Sequence, residues 1–215
     1  MSSLAIQTPV LISAIIRIIN DNADEVTELD RVIGDGDHVT NLQRGLAALE
    51  KINDELSTLE WSPALMKIGM TLMSAMGGAS GSLFGTLFIS MAKATKDKTV
   101  DFTHFPEIFN QGVEAVKQRG KAALGEKTML DTLIPVANSL MSDAKNNIAF
   151  AEALNNTKAA AIQGMQSTEA MVATKGRASF LGERSIGHID AGARTSQLMV
   201  CAIADVLLQG LTAPT

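Results

Sequence analysis

Cysteine is almost absent from the sequence, which has one, Cys201, among 215 residues. A single thiol cannot form a disulfide within the chain, so we expect a reducing compartment, and the apolar neighbours of Cys201 predict a buried structural thiol. The first residues lack the basic region, apolar core and cleavage site of a secretory signal, which predicts a cytoplasmic protein. The net charge of -5 argues against binding to nucleic acid or to an anionic membrane.

Charged residues are also missing between Lys67 and Lys93, a stretch long enough for a membrane-spanning helix. The segment Gly-Gly-Ala-Ser-Gly-Ser at 77–82 lies in the middle of this stretch. Its glycines would interrupt a spanning helix, because glycine is a poor helix former. We therefore predict two buried helices joined by a tight turn.

The alternating pattern of β-strands is absent, as are internal repeats, linkers and low-complexity tracts. With 46% hydrophobic and 19% charged residues, the composition is that of one globular domain covering 1–215. Apolar residues recur at helical spacing, which predicts an all-α fold. Asp37 is expected to cap the second helix, Ser62 and Pro63 to start the third, and Pro135 to lie inside the sixth. The eight predicted helices cover about 9–21, 37–51, 62–76, 80–95, 103–118, 130–144, 149–173 and 190–208.

Helices with short connections pack as antiparallel neighbours, which predicts eight helices in an up-and-down barrel. Every second connection then lies at the same end of the barrel. One such set, formed by 22–37, 77–81, 119–129 and 174–192, holds 11 of the 17 glycines, whereas the opposite set, around 53–61, 96–102 and 145–148, holds none. This asymmetry predicts a binding site at the glycine-rich end.

Basic residues follow the same division. Lys96, Lys98 and Lys145 belong to the opposite end, where scattered ammonium groups suit a solvated surface. The planar guanidinium group binds phosphate oxygens well, so arginines at the glycine-rich end predict a phosphate ligand. The arginines at or beside that end are Arg31, Arg44, Arg119, Arg177, Arg184 and Arg194.

Three carboxylates occupy the first glycine-rich connection, at Asp30, Asp35 and Asp37. Carboxylates this close repel one another unless a cation lies between them, and a hard, oxygen-binding ion such as Mg²⁺ fits best. An EF-hand does not fit, because Val39 and Thr40 occupy positions that need a carboxylate or amide and a glycine. A simple Asp-Gly turn with a helix cap leaves Asp30 unexplained. We therefore favour metal binding.

The other three connections leave alternatives open. The segment 77–81 suits a phosphate cradle at a helix start or a plain helix–helix turn, and its place beside the aspartates favours the cradle. The segment 120–129 suits the wall of a base pocket or a glycine-capped connector. The segment 175–190 is too long for a passive link, and its apolar residues favour an ordered lid over a nucleotide.

Four motifs in this order resemble the ADP-binding L subunit of dihydroxyacetone kinase over nearly the whole chain. They are GDGDH with Asn41, MTLMSAMGGASG with LFGT, RGKA with LGEKTMLDTL, and ATKGRASFLGERSIGH. The resemblance implies an eight-helix antiparallel barrel with the nucleotide at one end. It also implies two Mg²⁺ ions on Asp30, Asp35 and Asp37 that bridge to the phosphates of ADP or ATP, with no catalytic side chain beyond the ligands. The residues that it places along the nucleotide are His38, Val39, Thr40, Asn41, Gly78, Ala79, Ser80, Gly120, Thr128, Met129, Arg177, Asp190, Ala191 and Gly192.

The resemblance also implies partners. The family binds dihydroxyacetone on a separate K subunit, and in the phosphotransferase-system type a phosphohistidine M subunit rephosphorylates the bound ADP. Two interpretations stay open beside this one. The chain is alternatively an L subunit that exchanges ATP or uses another small acceptor, with a lipid-binding partner in some such kinases. Otherwise it is a non-catalytic, nucleotide-sensing partner of a transcriptional regulator.

Three residues depart from the usual pattern of the family. Val39 stands where glycine is usual, and Ser82 and Ala191 stand where proline is usual. Loss of the two prolines predicts a looser phosphate turn and a looser last connection, and Val39 adds bulk near the nucleotide. The metal ligands are unaffected, so nucleotide affinity and the identity of the acceptor are the properties that these changes touch.

Overall fold

The computed structural model of the chain describes residues 8–95 and 100–212. Within these ranges the chain forms α-helices and two 3-10 segments, Thr168–Ala170 and Arg177–Ser185, and no strand, which confirms the all-α prediction. Two of the lysines assigned to the opposite end, Lys96 and Lys98, lie outside the described residues. So do residues 1–7, in which no secretory signal was found. The helices are α1 Thr8–Asp21, α2 Ala23–Ile33, α3 His38–Glu50, α4 Asn53–Ser57, α5 Trp61–Ala75, α6 Gly78–Ala94, α7 Phe105–Gly120, α8 Leu130–Lys145, α9 Phe150–Ser167 and α10 Ala191–Thr212.

Eight of these helices match the predicted ones, and two others lie in stretches predicted to be connections. Helix α2 carries Asp24 and Glu25 in its first turn and Arg31 in its last, an arrangement that complements the helix dipole. Its apolar residues Val26, Leu29 and Ile33 recur at helical spacing, so the sequence carried a signal for α2 that the prediction of a connection missed. Helix α4 has five residues and one buried side chain, which leaves no periodic signal to detect.

Several predicted boundaries are wrong by a few residues. Helix α9 ends at Ser167 rather than near residue 173, because Thr168 starts a 3-10 turn and its hydroxyl donates to the carbonyl of Met165 at 2.7 Å. Helix α5 begins at Trp61, and Ser62 is no cap, since its hydroxyl donates to the carbonyl of Ala92 at 2.8 Å. Asp37 does precede α3, but its side chain makes no capping hydrogen bond.

The eight long helices contact one another in a closed cycle. The order is α1, α3, α5, α6, α7, α8, α9 and α10, and α10 then packs on α1. A cycle of neighbouring helices is the contact pattern of a helical barrel, which is the predicted architecture. One hydrophobic cluster fills it, and buried side chains from every one of the eight helices belong to this cluster, for example Ile12, Leu72, Val113 and Leu198. Helix α2 packs against α3 and α10 at the edge of this cycle.

Helices α5 and α6 pack especially closely because a glycine of each faces the backbone of the other. A Cβ atom at Gly69 would lie 2.8 Å from the carbonyl oxygen of Gly85, and one at Gly85 would lie 2.9 Å from that of Gly69. The two helices are separated only by Met76 and Gly77. The charge-free stretch is therefore two packed helices with a tight turn, as predicted.

By length and composition alone, one helical segment among the described residues is apolar enough to cross a membrane. This segment is Ala191–Leu211, with a mean hydropathy of 1.2. Core helices of folded domains meet the same criteria, and this helix contacts α1, α8 and α9. Leu198 and Ala204 on it are buried. We therefore describe it as a helix of the barrel.

Candidate functional site

The three predicted metal ligands come together at the end of α2. Asp30, Asp35 and Asp37 each offer a carboxylate oxygen, and these oxygens lie within 4.8 Å of one another. Gly36 has a φ of 75°, in the left-handed region that glycine adopts without strain, so the chain can turn between the two loop carboxylates. A Cβ atom at Gly34 would lie 2.1 Å from Oδ1 of Asp30, so only glycine leaves room for that carboxylate. The three oxygen donors fit a hard divalent cation such as Mg²⁺.

Asp30 holds the acidic loop closed at both ends. Its carbonyl oxygen accepts the backbone N–H of Gly34 at 2.6 Å, and its Oδ2 accepts the backbone N–H of His38 at 3.0 Å. One residue of α2 therefore positions the loop and the start of α3 together. The sequence analysis did not predict these two hydrogen bonds of Asp30, because it treated α2 as a connection.

His38 connects the starts of three helices. It is 9% exposed, its Nδ1 lies 3.1 Å from Oγ of Ser80, and its Nε2 lies 2.9 Å from Oγ1 of Thr195. The Thr195 hydroxyl also lies 3.1 Å from the carbonyl of Ala191, and when it donates to that carbonyl it accepts a hydrogen bond from a protonated Nε2. Burial lowers the pKa of His38, although the charges of Asp30 and Asp37 oppose this shift. The imidazole is therefore a neutral link between α3, α6 and α10.

Asn41 lies against the glycine turn that precedes α6. A Cβ atom at Gly77 would lie 2.5 Å from Oδ1 of Asn41, and that oxygen accepts a hydrogen bond from Arg44 at 3.2 Å. Gly78 has a φ of 67°, and no side chain caps the first turn of α6. The backbone N–H groups of this turn are therefore available to an anion, which the helix dipole also favours.

The connection between α7 and α8 is ordered from within by a buried carboxylate. Asp131 is fully buried, its Oδ1 accepts the N–H of Gly125 at 2.5 Å, and its Oδ2 accepts the N–H of Thr128 at 2.7 Å. Burial raises the pKa of Asp131, and these hydrogen bonds oppose that shift. The predicted glycine C-cap is wrong, because the left-handed residue after α7 is Lys121, with a φ of 48°, rather than Gly120.

The last connection reaches the acidic loop through Arg177. Nε of Arg177 lies 2.5 Å from Oδ2 of Asp35, and both side chains are partly exposed, by 71% and 36%. The same connection ends at Asp190, whose Oδ2 accepts the N–H of Ala193 at 2.7 Å and thereby caps α10. Burial raises the pKa of Asp190 to about 7, and nearby Asp131 adds to that shift. Asp190 thus lies at the predicted start of the last helix.

The segments 120–129 and 190–192, both predicted to lie along the nucleotide, also contact each other. A Cβ atom at Gly192 would lie 3.5 Å from the Cβ of Met129. Thr132 donates to the carbonyl of Ala193 at 3.0 Å, which joins the starts of α8 and α10. Together with the Arg177 contact, these distances place all four glycine-rich connections at one end of the barrel.

Not every predicted residue directs its side chain to this end. Val39, Met129 and Ala191 are 4–5% exposed and belong to the hydrophobic core, so they can offer a ligand only their backbone groups. Thr40, by contrast, is exposed. The side chain of Val39, which was expected to add bulk near the nucleotide, therefore packs into the core instead.

Besides Arg44 and Arg177, two further arginines assigned to this end are engaged with protein groups. Nε of Arg119 donates to Oγ of Ser82 at 2.8 Å, so the residue that replaces the usual proline ties α6 to the end of α7. Arg194 binds both carboxylate oxygens of Glu25, at 3.0 and 2.8 Å, and holds α10 to α2. Arg194 is therefore a structural residue, contrary to the phosphate role that its position suggested.

Sequence reasoning missed four anchoring residues, Lys127, Asp131, Thr168 and Thr195. Each is nearly or fully buried and bonds to a connection at this end. A buried polar residue on a helix has no distinctive spacing, so only the motif containing Lys127 and Asp131 offered a signal. Asp131 bonds to neighbouring residues of its own connection, whereas the partners of Lys127, Thr168 and Thr195 lie far apart in the chain and meet only in the folded barrel.

A known domain family matches most of this sequence. The family model described as the DAK2 domain matches residues 32–205 of the chain. The chain therefore belongs to the DAK2 domain family, and the resemblance based on its four motifs is confirmed.

Relatives named as single subunits match over most of their length. The chain is 40% identical over 186 residues to the PEP-dependent dihydroxyacetone kinase 1, ADP-binding subunit DhaL, of Listeria innocua, covering 86% of this chain and 88% of that protein. It is also 40% identical over 191 residues to the PTS-dependent dihydroxyacetone kinase, ADP-binding subunit DhaL, of Lactococcus lactis, covering 88% and 91%.

A solved structure shares the fold. The dihydroxyacetone kinase from C. freundii, in complex with AMP-PNP and Mg²⁺, matches with a TM-score of 0.75 at 22% identity. The match covers 93% of this chain but 33% of that chain, so this protein spans about a third of the solved one. At this level of identity the comparison shows the common fold.

Proposed function

We propose that this chain is the nucleotide-binding subunit of a dihydroxyacetone kinase and holds ADP or ATP together with Mg²⁺. The observation that carries the proposal is the convergence of the carboxylates of Asp30, Asp35 and Asp37 within 4.8 Å, beside three joined helix starts. A carboxylate cluster binds the metal, and free helix N-termini bind the phosphates that the metal neutralises. The printed names of the relatives, ADP-binding subunits, support this assignment.

The donor set of Asp30, Asp35 and Asp37 supports a divalent cation, and the family resemblance implies two Mg²⁺ ions on it. When bound, these ions would supply charge neutralisation for the phosphoryl group. The first turns of α3 and α6 direct backbone N–H groups to the phosphates, and Arg177, which contacts Asp35, offers a guanidinium group from the last connection. Such positioning and charge neutralisation are the main requirements of phosphoryl transfer.

The nucleotide assignment covers all four connections. Helix α3 contributes His38 to Asn41, and α6 contributes Gly78 to Ser80. The connection before α8 forms a second wall, and the last connection closes the site. The residues proposed to line the nucleotide on those two segments are Gly120, Thr128, Met129, Arg177, Asp190, Ala191 and Gly192.

The partners that we propose are those that the family resemblance implies. The γ-phosphoryl group passes to dihydroxyacetone bound on a separate K subunit, and a phosphohistidine M subunit of the phosphotransferase system rephosphorylates ADP in place. The relatives named PEP-dependent and PTS-dependent support this route. We also propose that the protein acts in the cytoplasm. The protein has no activity without its partner subunits.

Mass spectrometry of the purified protein after gel filtration tests the proposal. We expect ADP and Mg²⁺ to be retained, and D35N to lower the affinity for Mg·ADP about tenfold or more, because a charged ligand to the metal is lost. D54N, at an exposed carboxylate on α4, is the control and should bind as the unmodified protein does. Retention of ADP by D35N with unchanged affinity would contradict the metal assignment. An empty site with measurable ATP binding would indicate exchange instead of a resident cofactor.

A further inference from the structure

Lys127 is the largest fully buried side chain among the described residues, with an exposed fraction of 1%. A lysine ammonium group is strongly hydrated, so its burial costs free energy unless other groups replace the water. Its backbone has a φ of 60°, in the left-handed region that side-chain-bearing residues rarely adopt. Two unfavourable features at one residue indicate that the contacts of Lys127 compensate for them.

Those contacts join three segments of the chain. Nζ of Lys127 donates to the backbone carbonyl of Thr168 at 2.5 Å and also to that of His188. The hydroxyl of Thr168 accepts the N–H of Asp190 at 3.1 Å. The carbonyl of Thr168 therefore accepts a hydrogen bond from Lys127, and its hydroxyl accepts one from the N–H of Asp190. Together these two bonds join the segment before α8 to the start of α10.

Nearby carboxylates offset part of the cost of burying the ammonium group. Burial lowers the pKa of Lys127, and the carboxylates of Asp190, Glu169 and Asp131 oppose this shift. These three carboxylates come from three different segments, and in the described residues none of them forms an ion pair with Lys127. The ammonium thus bonds directly only to carbonyl groups, which have fixed backbone positions.

We propose that Lys127 is a positioning residue whose buried ammonium holds the segments 120–129, 168–175 and 186–192 in register. Met129 and Gly192, which follow Lys127 and His188 closely in the chain, are adjacent across this junction. The inference rests on the proposed function where it concerns nucleotide: the ammonium sets the separation of the two segments assigned to nucleotide binding without touching the nucleotide itself.

Amide hydrogen exchange of the ligand-free protein tests the positioning, with K127M as the variant. Methionine keeps the length and most of the volume of lysine but cannot donate to the two carbonyls. We expect exchange in the three segments to rise about tenfold, since local opening follows the free energy of the lost contacts. Exchange elsewhere, for example in α5, should stay unchanged. K127Q keeps amide donors without the charge, and we expect it to give a smaller rise in the same segments.

K158M is the matched control. Lys158 forms a partly exposed ion pair with Asp205 between α9 and α10, and its side chain is 29% exposed. Its removal should change exchange around α9 and α10 but not in the segment 120–129. K127M and K158M are then titrated with Mg·ADP. K127M should bind Mg·ADP about tenfold more weakly than the unmodified protein, and the affinity of K158M should stay within about twofold of it.

Chemical rescue separates the ammonium from the bulk of the side chain. In K127C on a C201S background, one thiol remains, and its aminoethylation in denaturant followed by refolding restores an ammonium at nearly the length of lysine. Carbamoylmethylation of the same thiol gives a neutral derivative of similar size. We expect the aminoethylated protein to recover slow exchange in the three segments and nucleotide affinity in full, and the neutral amide derivative to recover them only in part, as in K127Q.

The outcomes are distinguishable. Unchanged exchange in K127M and K127Q, a uniform rise over the whole chain, or equal behaviour of the two chemical derivatives would overturn the positioning role. If the unmodified protein binds no Mg·ADP, the proposed function fails, and the exchange measurement still decides the role of Lys127 in ordering the three segments.

Discussion

Nε of Arg177 lies 2.5 Å from Oδ2 of Asp35, so a guanidinium group occupies a carboxylate that a metal ion would also use. The arginine belongs to the last connection of the chain and the aspartate to the first glycine-rich one. Positive charge from the protein and positive charge from a cation therefore compete for the same carboxylate. This competition leads to a prediction in which two affinities change in opposite directions.

Replacement of Arg177 by glutamine should strengthen cation binding and weaken nucleotide binding. Without nucleotide, we expect the affinity for Mn²⁺, used as a probe of the Mg²⁺ site, to rise a few-fold because a nearby positive charge is lost. The affinity for Mg·ADP should fall about tenfold, because a charged donor to phosphate is lost. Titration calorimetry measures both.

The control for this change is R17Q. Arg17 pairs with Asp21 on α1, and its side chain is 84% exposed. Both variants should change the free energy of unfolding by less than about 1 kcal/mol, as exposed ion pairs contribute little. A parallel fall of both affinities in R177Q would show that Arg177 supports the cation site instead of competing with the cation.

Gly77→Ala should disturb the site through one close contact. Gly77 has an extended backbone, so alanine is tolerated conformationally, but the new Cβ would lie 2.5 Å from Oδ1 of Asn41 and 3.3 Å from Arg44. We expect a loss of about 1–3 kcal/mol in the free energy of unfolding, together with weaker nucleotide binding. Denaturant unfolding and calorimetry check the two effects.

Gly210→Ala is the matched glycine control. A Cβ atom at Gly210 would meet nothing within 4 Å, and the residue lies in α10 at an exposed position. Alanine is the better helix former, so this variant should gain up to about 1 kcal/mol and keep its nucleotide affinity. If Gly77→Ala and Gly210→Ala change the free energy of unfolding and the nucleotide affinity equally, the close contact with Asn41 does not destabilise the protein.

Asp190 should make the metal-free protein less stable as the pH rises. Burial raises the pKa of Asp190 from 3.8 to about 7, so between these values the folded protein holds a proton that the unfolded chain has released. The free energy of unfolding therefore falls with rising pH across this window, by at most about 1.4 kcal/mol per unit. The contribution is complete below pH 4 and is lost above pH 7.

Urea unfolding at a series of pH values measures this slope. Asp190→Asn keeps an oxygen that can accept the N–H of Ala193 but has no proton to release, so its profile should be flatter. Asp24→Asn, at an exposed position on α2, should keep the original slope. An identical slope in both variants would assign the pH dependence to other groups.

Arg194 should contribute to stability far more than an exposed arginine does. Its guanidinium binds both oxygens of Glu25 and lies 3.4 Å from Oδ1 of Asn22, and its side chain is 18% exposed. We expect R194M to lower the free energy of unfolding by about 1.5–3 kcal/mol, the usual range for hydrogen bonds to charged groups. R17M should lower it by less than about 0.5 kcal/mol, because exposed ion pairs contribute little. Thermal and urea unfolding compare the two variants.

R194M has a second consequence if α2 is docked by this contact. Helix α2 carries Asp30, so its release should also weaken Mn²⁺ binding, whereas a purely local loss would leave the metal affinity unchanged. Parallel titration of R194M and R17M distinguishes the two results.

The sequence predicted much of the site because two of its signals are local. Three aspartates around two glycines indicate a cation site whatever the fold, and helical periodicity with short connections places alternate connections at one end. The structure brings those connections together. The ligand roles of the individual residues stay predictions, since their positions agree with the site but the bound groups are inferred.

What the sequence alone determined is the helical class, the barrel order and the end of the barrel that carries the glycines and carboxylates. Only the tertiary structure decided how that end is held together. His38 meets Ser80 and Thr195, and Lys127 meets Thr168, across long stretches of chain. A contact of this kind depends on which side chains face each other after the helices pack, and packing leaves no spacing in the sequence to detect.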